Sequence, residues 1–249
     1  MHSFVAAVLL SLAFAPYANA RPENSPASQP PGETIATASV AAHFEASTQI
    51  GGKRGSDKTD WYFLRQANRI ETIRPNGGIA EIWIRDERGD LTLKRIFHPD
   101  RRVVEYTTGN LRAMGATAPW TALGSIIDPL TLAQQFKRLG TVKIPHGIAT
   151  IYKDTRKGQS IEIWWLDQVA LPARIIHESD GKSFSLTLKS LHAAPPPSWP
   201  FVDDAALASY LVIDAADLGD RHGDPFVRKV EQLDAETHAF DHAASAHSH

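Results

Sequence analysis

The side chains with the plainest chemical potential lie at the C-terminus, where His238 and His242 are spaced i, i+4. On a helix that spacing puts both imidazoles on one face, with Asp234 one turn earlier on it. His247 and His249 follow. A His-rich tract without cysteine suits Zn(II), Ni(II) or Cu(II), so these histidines are the candidate metal ligands. The competing reading is a solvated tail, because such a tract binds divalent cations in vitro whether or not the cell uses it. Asp214, Asp217, Asp220, His222 and Asp224 form a second polar cluster. Its spacing lacks the alternate oxygen ligands of a helix-loop-helix calcium site, and it reads as turn and cap chemistry.

Catalytic patterns are absent. Leu123-Gly124-Ser125-Ile126-Ile127 does not match the Gly-x-Ser-x-Gly elbow, and there is neither a phosphate-cradling glycine loop nor a His-Glu-x-x-His helix. His98, His146 and His177 stand alone at turns or a strand end. No cysteine is present, which removes disulfides, thiolate metal sites and thiol nucleophiles. With a net charge of -2 and scattered signs, the chain has no clustered basic surface for nucleic acid. The expectation is a protein that is not an enzyme.

Those residues must be positioned by a chain of 249 residues whose 43% hydrophobic content suits one medium domain with tails. Phe4 to Ala15 is an apolar run too short to span a bilayer, and Ala18-Asn19-Ala20 is a small-residue cleavage site. Residues 1–20 are therefore expected to be a signal peptide, which in a Gram-negative cell places the mature protein in the periplasm with no membrane span. Residues 21–35 (Pro- and Ser-rich) read as a flexible leader.

A run of short alternating segments follows. Residues 33–47 suit either a helix or a first strand. Trp61 to Ile73 gives two strand-like halves around Gln66-Ala67-Asn68. Ile82 and Ile84 alternate with Glu81, Trp83 and Arg85 between Asn76-Gly77-Gly78 and Asp86-Glu87-Arg88-Gly89. Leu91 to Phe97 and Val103 to Tyr106 continue the pattern, which predicts a meandering antiparallel sheet. At Asp128-Pro129 the period changes: Asp128 suits an N-cap and Pro129 the first helical position. Leu132, Phe136 and Leu139 recur at helical spacing, with Gly140 as the expected stop. That helix either covers one face of the sheet or forms a lid over an apolar interior.

Val142 to Ile144 and Ile148 to Lys153 return to strand. Beyond them Ile161, Ile163 and Trp165 alternate with Glu162, Trp164 and Leu166, and Asp180-Gly181 marks a tight hairpin before Phe184, Leu186 and Leu188. Trp164 and Trp165 must point to opposite faces. Residues 36–195 make the sheet domain, 196–232 a partly helical extension and 233–249 the His-rich tail.

The series DWYFLRQANRIETI, EIWIRDERGDLTLKRIFHPDRRVVEY, a helical insert, then IEIWWLDQVALPARI resembles the periplasmic outer-membrane lipoprotein carrier superfamily over roughly residues 59–191. Its relatives include a sensor domain that binds an anti-sigma factor and mycobacterial lipid-transfer lipoproteins. The resemblance implies an α+β fold: a strongly curved antiparallel β half-barrel whose covering helices close an apolar interior that takes acyl chains. It also implies lid gating by an arginine near the end of an early strand, which Arg65 matches, although Gln66-Ala67 stands where a proline usually follows. On this reading Ile82, Ile84, Ile161, Ile163, Trp165 and Phe136 line the cavity.

The expected function is a periplasmic carrier or sensor of an apolar ligand, a lipid or a lipoprotein acyl chain, with an inner- or outer-membrane protein as a further partner. The alternative is a divalent-metal accessory protein acting through its tail, with Zn(II) or Cu(II) as the cofactor. A module that binds a partner along an open sheet edge is a third reading.

Overall fold

The computed structural model describes residues 39–51, 57–116, 118–156, 158–221 and 223–233. The strands are β1 (Val40–Ile50), β2 (Asp57–Arg65), β3 (Arg69–Arg74), β4 (Ile79–Arg85), β5 (Leu91–Phe97) and β6 (Arg102–Tyr106). After three short helices come β7 (Lys137–Ile144), β8 (Gly147–Arg156), β9 (Gln159–Leu166), β10 (Leu171–Ser179), β11 (Lys182–His192) and β12 (Leu211–Asp214). They form one unclosed, curved 12-stranded sheet in the order β12-β6-β5-β4-β3-β2-β1-β11-β10-β9-β8-β7. Residues 33–38 lie outside the described residues. From Val40 onward the segment left open between helix and strand is a strand.

Two antiparallel meanders, β2 to β6 and β7 to β11, are joined by β1, which pairs with both β2 and β11. The predicted Asp-Gly hairpin joins β10 to β11, with Asp180 at φ 49° and Gly181 at φ 72°, the two positive angles a tight turn of this hand needs. Register shifts at His43/Phe44, Pro172/Arg174 and Arg138/Gly140 place extra residues in single strands, and such bulges bend a sheet.

The order of strands explains where the helices lie. β6 sits beside one rim and β7 forms the other, so the connection between them must cross the whole sheet. It does so as α1 (Thr108–Ala113), α2 (Trp120–Ser125) and α3 (Pro129–Gln135). Helices of 6 and 7 residues are too short to persist alone, and these are held by burying Leu111, Trp120, Ala122 and Leu132. Their partners on the sheet's inner face include Phe44, Trp61, Phe63, Trp83, Leu93, Ile163, Trp165, Ile175 and Leu186.

α3 begins as expected, with Pro129 in its first turn and the Asp128 carboxylate accepting from the Thr131 N–H at 3.1 Å. It ends sooner than the apolar spacing predicts. Phe136 is already extended at φ -107°, ψ 138°, and Leu139 lies in β7 with 52% of its surface exposed. Gly140 is extended at φ 159° beside a bulge, so it is not the stop of a helix.

The opposite face of the sheet is buried too. Ile73, Ala80, Ile82, Ile96 and Val103 pack there, with Tyr62, Ile84, Phe201, Leu207 and Tyr210 against them. The last three belong to residues 196–233, which run over this outer face through α4 (Asp204–Leu207) and add β12 parallel to β6. A helical stretch at 225–233 then returns to the inner core through Phe226, Val227 and Val230. No helix of the described residues is long and apolar enough to cross a membrane.

Candidate functional site

Alternation along β2 places Trp61, Phe63 and Arg65 on the inner face, and Arg65 comes last, at the rim under the helices. Its side chain is fully buried. Nη1 donates to the Gly124 carbonyl of α2 at 2.5 Å, and Nη2 donates to the Val169 carbonyl in the β9–β10 turn at 2.8 Å. One planar guanidinium thus ties the helical crossing to the far half of the sheet. Burial lowers its pKa to about 10, so the group stays charged at neutral pH.

The tied segment carries unspent polar groups. Among the described residues, Trp120 Nε1, Ser125 Oγ and Asp128 Oδ1 are buried with no hydrogen-bond partner. Between them Ile126 holds φ 68°, ψ -38°, a sterically disfavoured region for a β-branched residue. An unmade buried hydrogen bond costs about 1–3 kcal/mol, so these groups weaken the packing of the helical crossing. The Arg85 guanidinium adds a cation–π contact 5.0 Å from the Trp120 ring.

Not all the residues expected to line one cavity come together. Ile163 and Trp165 are buried in the inner core, with Ile161 and Phe136 packed at its margin. Ile82 and Ile84 lie on the outer face beneath residues 196–233, so they do not share an interior with the others. Their alternation is as expected, but the faces are exchanged: Glu81, Trp83 and Arg85 point inward. Trp164 projects from the other side of β9, where Arg174 sits 5.4 Å over its ring and Glu162 Oε1 accepts from Nε1 at 2.9 Å. The candidate metal ligands His238, His242, His247 and His249 lie outside the described residues. In the Asp-rich cluster, Asp214 caps the Ala216 N–H at 2.8 Å, and Asp224 pairs with Arg102 at 2.8 Å.

A charged group inside the sheet escapes the sequence reading. Glu81 on β4 is directly opposite Arg95 on β5, and Arg95 Nε donates to Glu81 Oε1 at 2.9 Å, both side chains being almost wholly buried. Arg95 also lies 5.4 Å over the Tyr106 ring, and its Nη1 is 3.4 Å from the Tyr106 hydroxyl. Arg74, at the end of β3, adds a second guanidinium whose charge is felt by both. Burial pushes the Glu81 carboxyl up, but Arg95 and Arg74 together outweigh it and hold the group below its ordinary value. The signal in the sequence was the parity of Glu81, Arg95 and Arg74 with Ile70, Trp83 and Leu93, which an outward reading of charge conceals.

No protein-family model matches the sequence, and no curated protein matches it significantly. Among solved structures the chain is similar to PNGF-II, at 14% identity and a TM-score of 0.39, over 74% of this chain and 33% of that one. It is similar to the Pseudomonas aeruginosa MucA/MucB complex, at 12% identity and a TM-score of 0.37, over 70% of this chain and 59% of that one. It is similar to a LolA superfamily protein from Nitrosomonas europaea, at 12% identity and a TM-score of 0.33, over 81% of this chain and 98% of that one. The chain therefore spans a third of the first of these and somewhat over half of the second. The carrier superfamily that the sequence resembles recurs among these similar structures.

Proposed function

We propose that this chain is a periplasmic, non-enzymatic carrier or sensor of an apolar ligand, a lipid or a lipoprotein acyl chain, taken up between the curved sheet and its crossing helices. The observation that carries the reading is Arg65: a buried cation that grips backbone carbonyls of the crossing helices and of the β9–β10 turn, on the same face as the apolar cluster of Trp61, Phe63, Ile163 and Trp165. A guanidinium fork suits that task, because it makes strong, directional bonds that break together when the helices lift. The unmet polar atoms of α2 and α3 regain water on lifting, which brings the covered and open states closer in free energy. Ligand would then replace the helices' apolar side chains against Trp61, Phe63, Ile163 and Trp165.

The test is titration of the mature protein with a fluorescent fatty acid, alongside Arg65→Leu. Wild type should take up the probe saturably and release it to unlabelled fatty acid. The variant, with its helices untied, should exchange probe at least several-fold faster and lose roughly 2–4 kcal/mol of stability, the scale of two charge-assisted hydrogen bonds. Absence of saturable uptake by both proteins would sink the carrier reading.

A further inference from the structure

An unclosed sheet leaves two end strands, here β12 and β7. β12 has 4 residues and lies parallel to β6, whereas β7 has 8 and pairs, among the described residues, with β8 alone. One side of the β7 backbone therefore offers its N–H and C=O groups to an added strand. Register decides what that strand would meet. The extra residue at Leu139 brings Arg138 into step with Thr141 and Lys143, opposite Tyr152, Thr150 and Ile148 of β8. Without the bulge Arg138 would fall on the other face, beside Gly140, Val142 and Ile144. The open edge thus has a basic face, whose Arg138, Thr141 and Lys143 are exposed, and an apolar face of half-buried Val142 and Ile144. β7 holds no carboxylate, and among the described residues none forms an ion pair with Lys137, Arg138 or Lys143. The carboxylates of the adjoining segments are engaged elsewhere: Asp154 by Arg156, Glu162 by Trp164 and Asp167 by Thr150.

We propose that the open edge of β7 is a docking site for an extended acidic segment of a partner protein. The segment adds to the sheet as a further strand, with acidic side chains beside Arg138 and Lys143 and apolar ones beside Val142 and Ile144. This stands on topology and charge and is independent of the carrier reading. In strand addition the backbone ladder supplies affinity and the alternating side chains supply specificity. Charge selects the occupant. A second copy joined edge to edge through β7 would set Lys137, Arg138 and Lys143 against their own kind, and like charges across a strand pair are destabilising. An anionic lipid surface would satisfy the three bases, but it has no repeating donors and acceptors to match the free side of a strand. An acidic, extended peptide answers both features.

The experiment follows the fluorescence anisotropy of a labelled peptide of alternating Glu and Val, matched to the 8 residues of β7, as the full-length mature protein is added. The peptide should bind, and its counterpart of alternating Lys and Val should bind at least about tenfold more weakly. Arg138→Glu with Lys143→Glu should weaken the acidic peptide by at least about tenfold, and the milder Arg138→Gln with Lys143→Gln by a smaller factor. Both positions are exposed, so fatty-acid uptake by these variants should match wild type, which keeps this test apart from that of the carrier reading. Two further peptides carry N-methyl groups on alternate residues, one in each phase. Only one set of N–H groups can face β7, so one phase should abolish binding and the other should keep most of it. Equal binding by both phases would reduce the contact to charge alone and overturn strand addition. No binding of the acidic peptide below about 1 mM would leave the basic residues as mere protection of the edge and overturn the proposal. It also falls if phosphatidylglycerol vesicles capture the protein while the peptide does not, or if the protein self-associates through β7.

Discussion

Glu81 is where burial and charge compete most directly. Its pKa lies below the ordinary 4.5, because Arg95 and Arg74 outweigh the desolvation that would raise it. A carboxylate depressed by folding contributes stability that is present above its unfolded value and lost as pH falls through its folded value. Wild type should therefore lose stability below pH 4.5, and Glu81→Gln, which cannot titrate, should lose less there. At neutral pH the variant should be weaker by roughly 3–5 kcal/mol, since it takes the Glu81 carboxylate away from the buried Arg95. His98 and His177, both lowered by burial from 6.5, add an acid loss that begins below that pH in both proteins. Glu71 is raised, chiefly by burial, with Arg69 opposing, and so acts in the opposite direction in both. The difference between the two denaturation curves isolates Glu81, and parallel curves below pH 4.5 would show that the pair is not buried as described. This group was illegible in the sequence for a physical reason: a lone charge in a strand faces water, and only the pairing of β4 with β5 supplies the partner. Arg65 was legible through resemblance alone, because the carbonyls it grips are 59 and 104 residues away.

At the scale of elements, the helical crossing divides into a part the sequence determines and a part that packing decides. The start of α3 was legible, since Asp128 and Pro129 are local chemistry. Its end was not, because Phe136 and Leu139 suit a helix or a strand equally well and pairing with β8 settles the matter. Between α2 and α3, Ile126 sets backbone against side chain. Its positive φ costs about 1–3 kcal/mol, while truncating a buried isoleucine costs about 2–5 kcal/mol. Packing should win, so Ile126→Gly is expected to lower stability by about 1–2 kcal/mol, less than an ordinary core truncation. Chemical denaturation checks this. A gain in stability would mean that the side chain contributes less to the closed crossing than its backbone takes away.

Across the whole molecule, the two meanders were readable from turns and period, whereas the joining of their ends was not. Ala41 pairs with His192, and no local pattern announces a partner at that distance. Nor could alternation say which face of β4 is inner, because both faces are buried: one by the crossing helices, the other by residues 196–233. Those last residues behave as part of the sheet. Trp199 lies against Tyr62 and His43 at ring separations of 5.2 and 6.1 Å, with Phe201, Leu207 and Tyr210 over Ile82 and its neighbours. Tyr210 also meets His98 Nδ1 at 3.1 Å through its hydroxyl, and β12 completes the β6 rim. Ending the chain at Pro195 would strip the outer face down to Ile73, Ile82, Ile96 and Val103 and remove Phe226, Val227 and Val230 from the inner core. A sheet so exposed presents a contiguous apolar surface and an unprotected β6 edge, both of which favour association over folding. The truncated protein should therefore aggregate or melt without a cooperative transition. Trp199→Ala in the full chain should retain a single transition, at a cost of about 2–4 kcal/mol for a half-buried aromatic. Calorimetry and light scattering separate these outcomes: a truncated chain that stays monomeric and melts cooperatively at the wild-type temperature would make residues 196–233 an appendage instead of the outer layer of the fold.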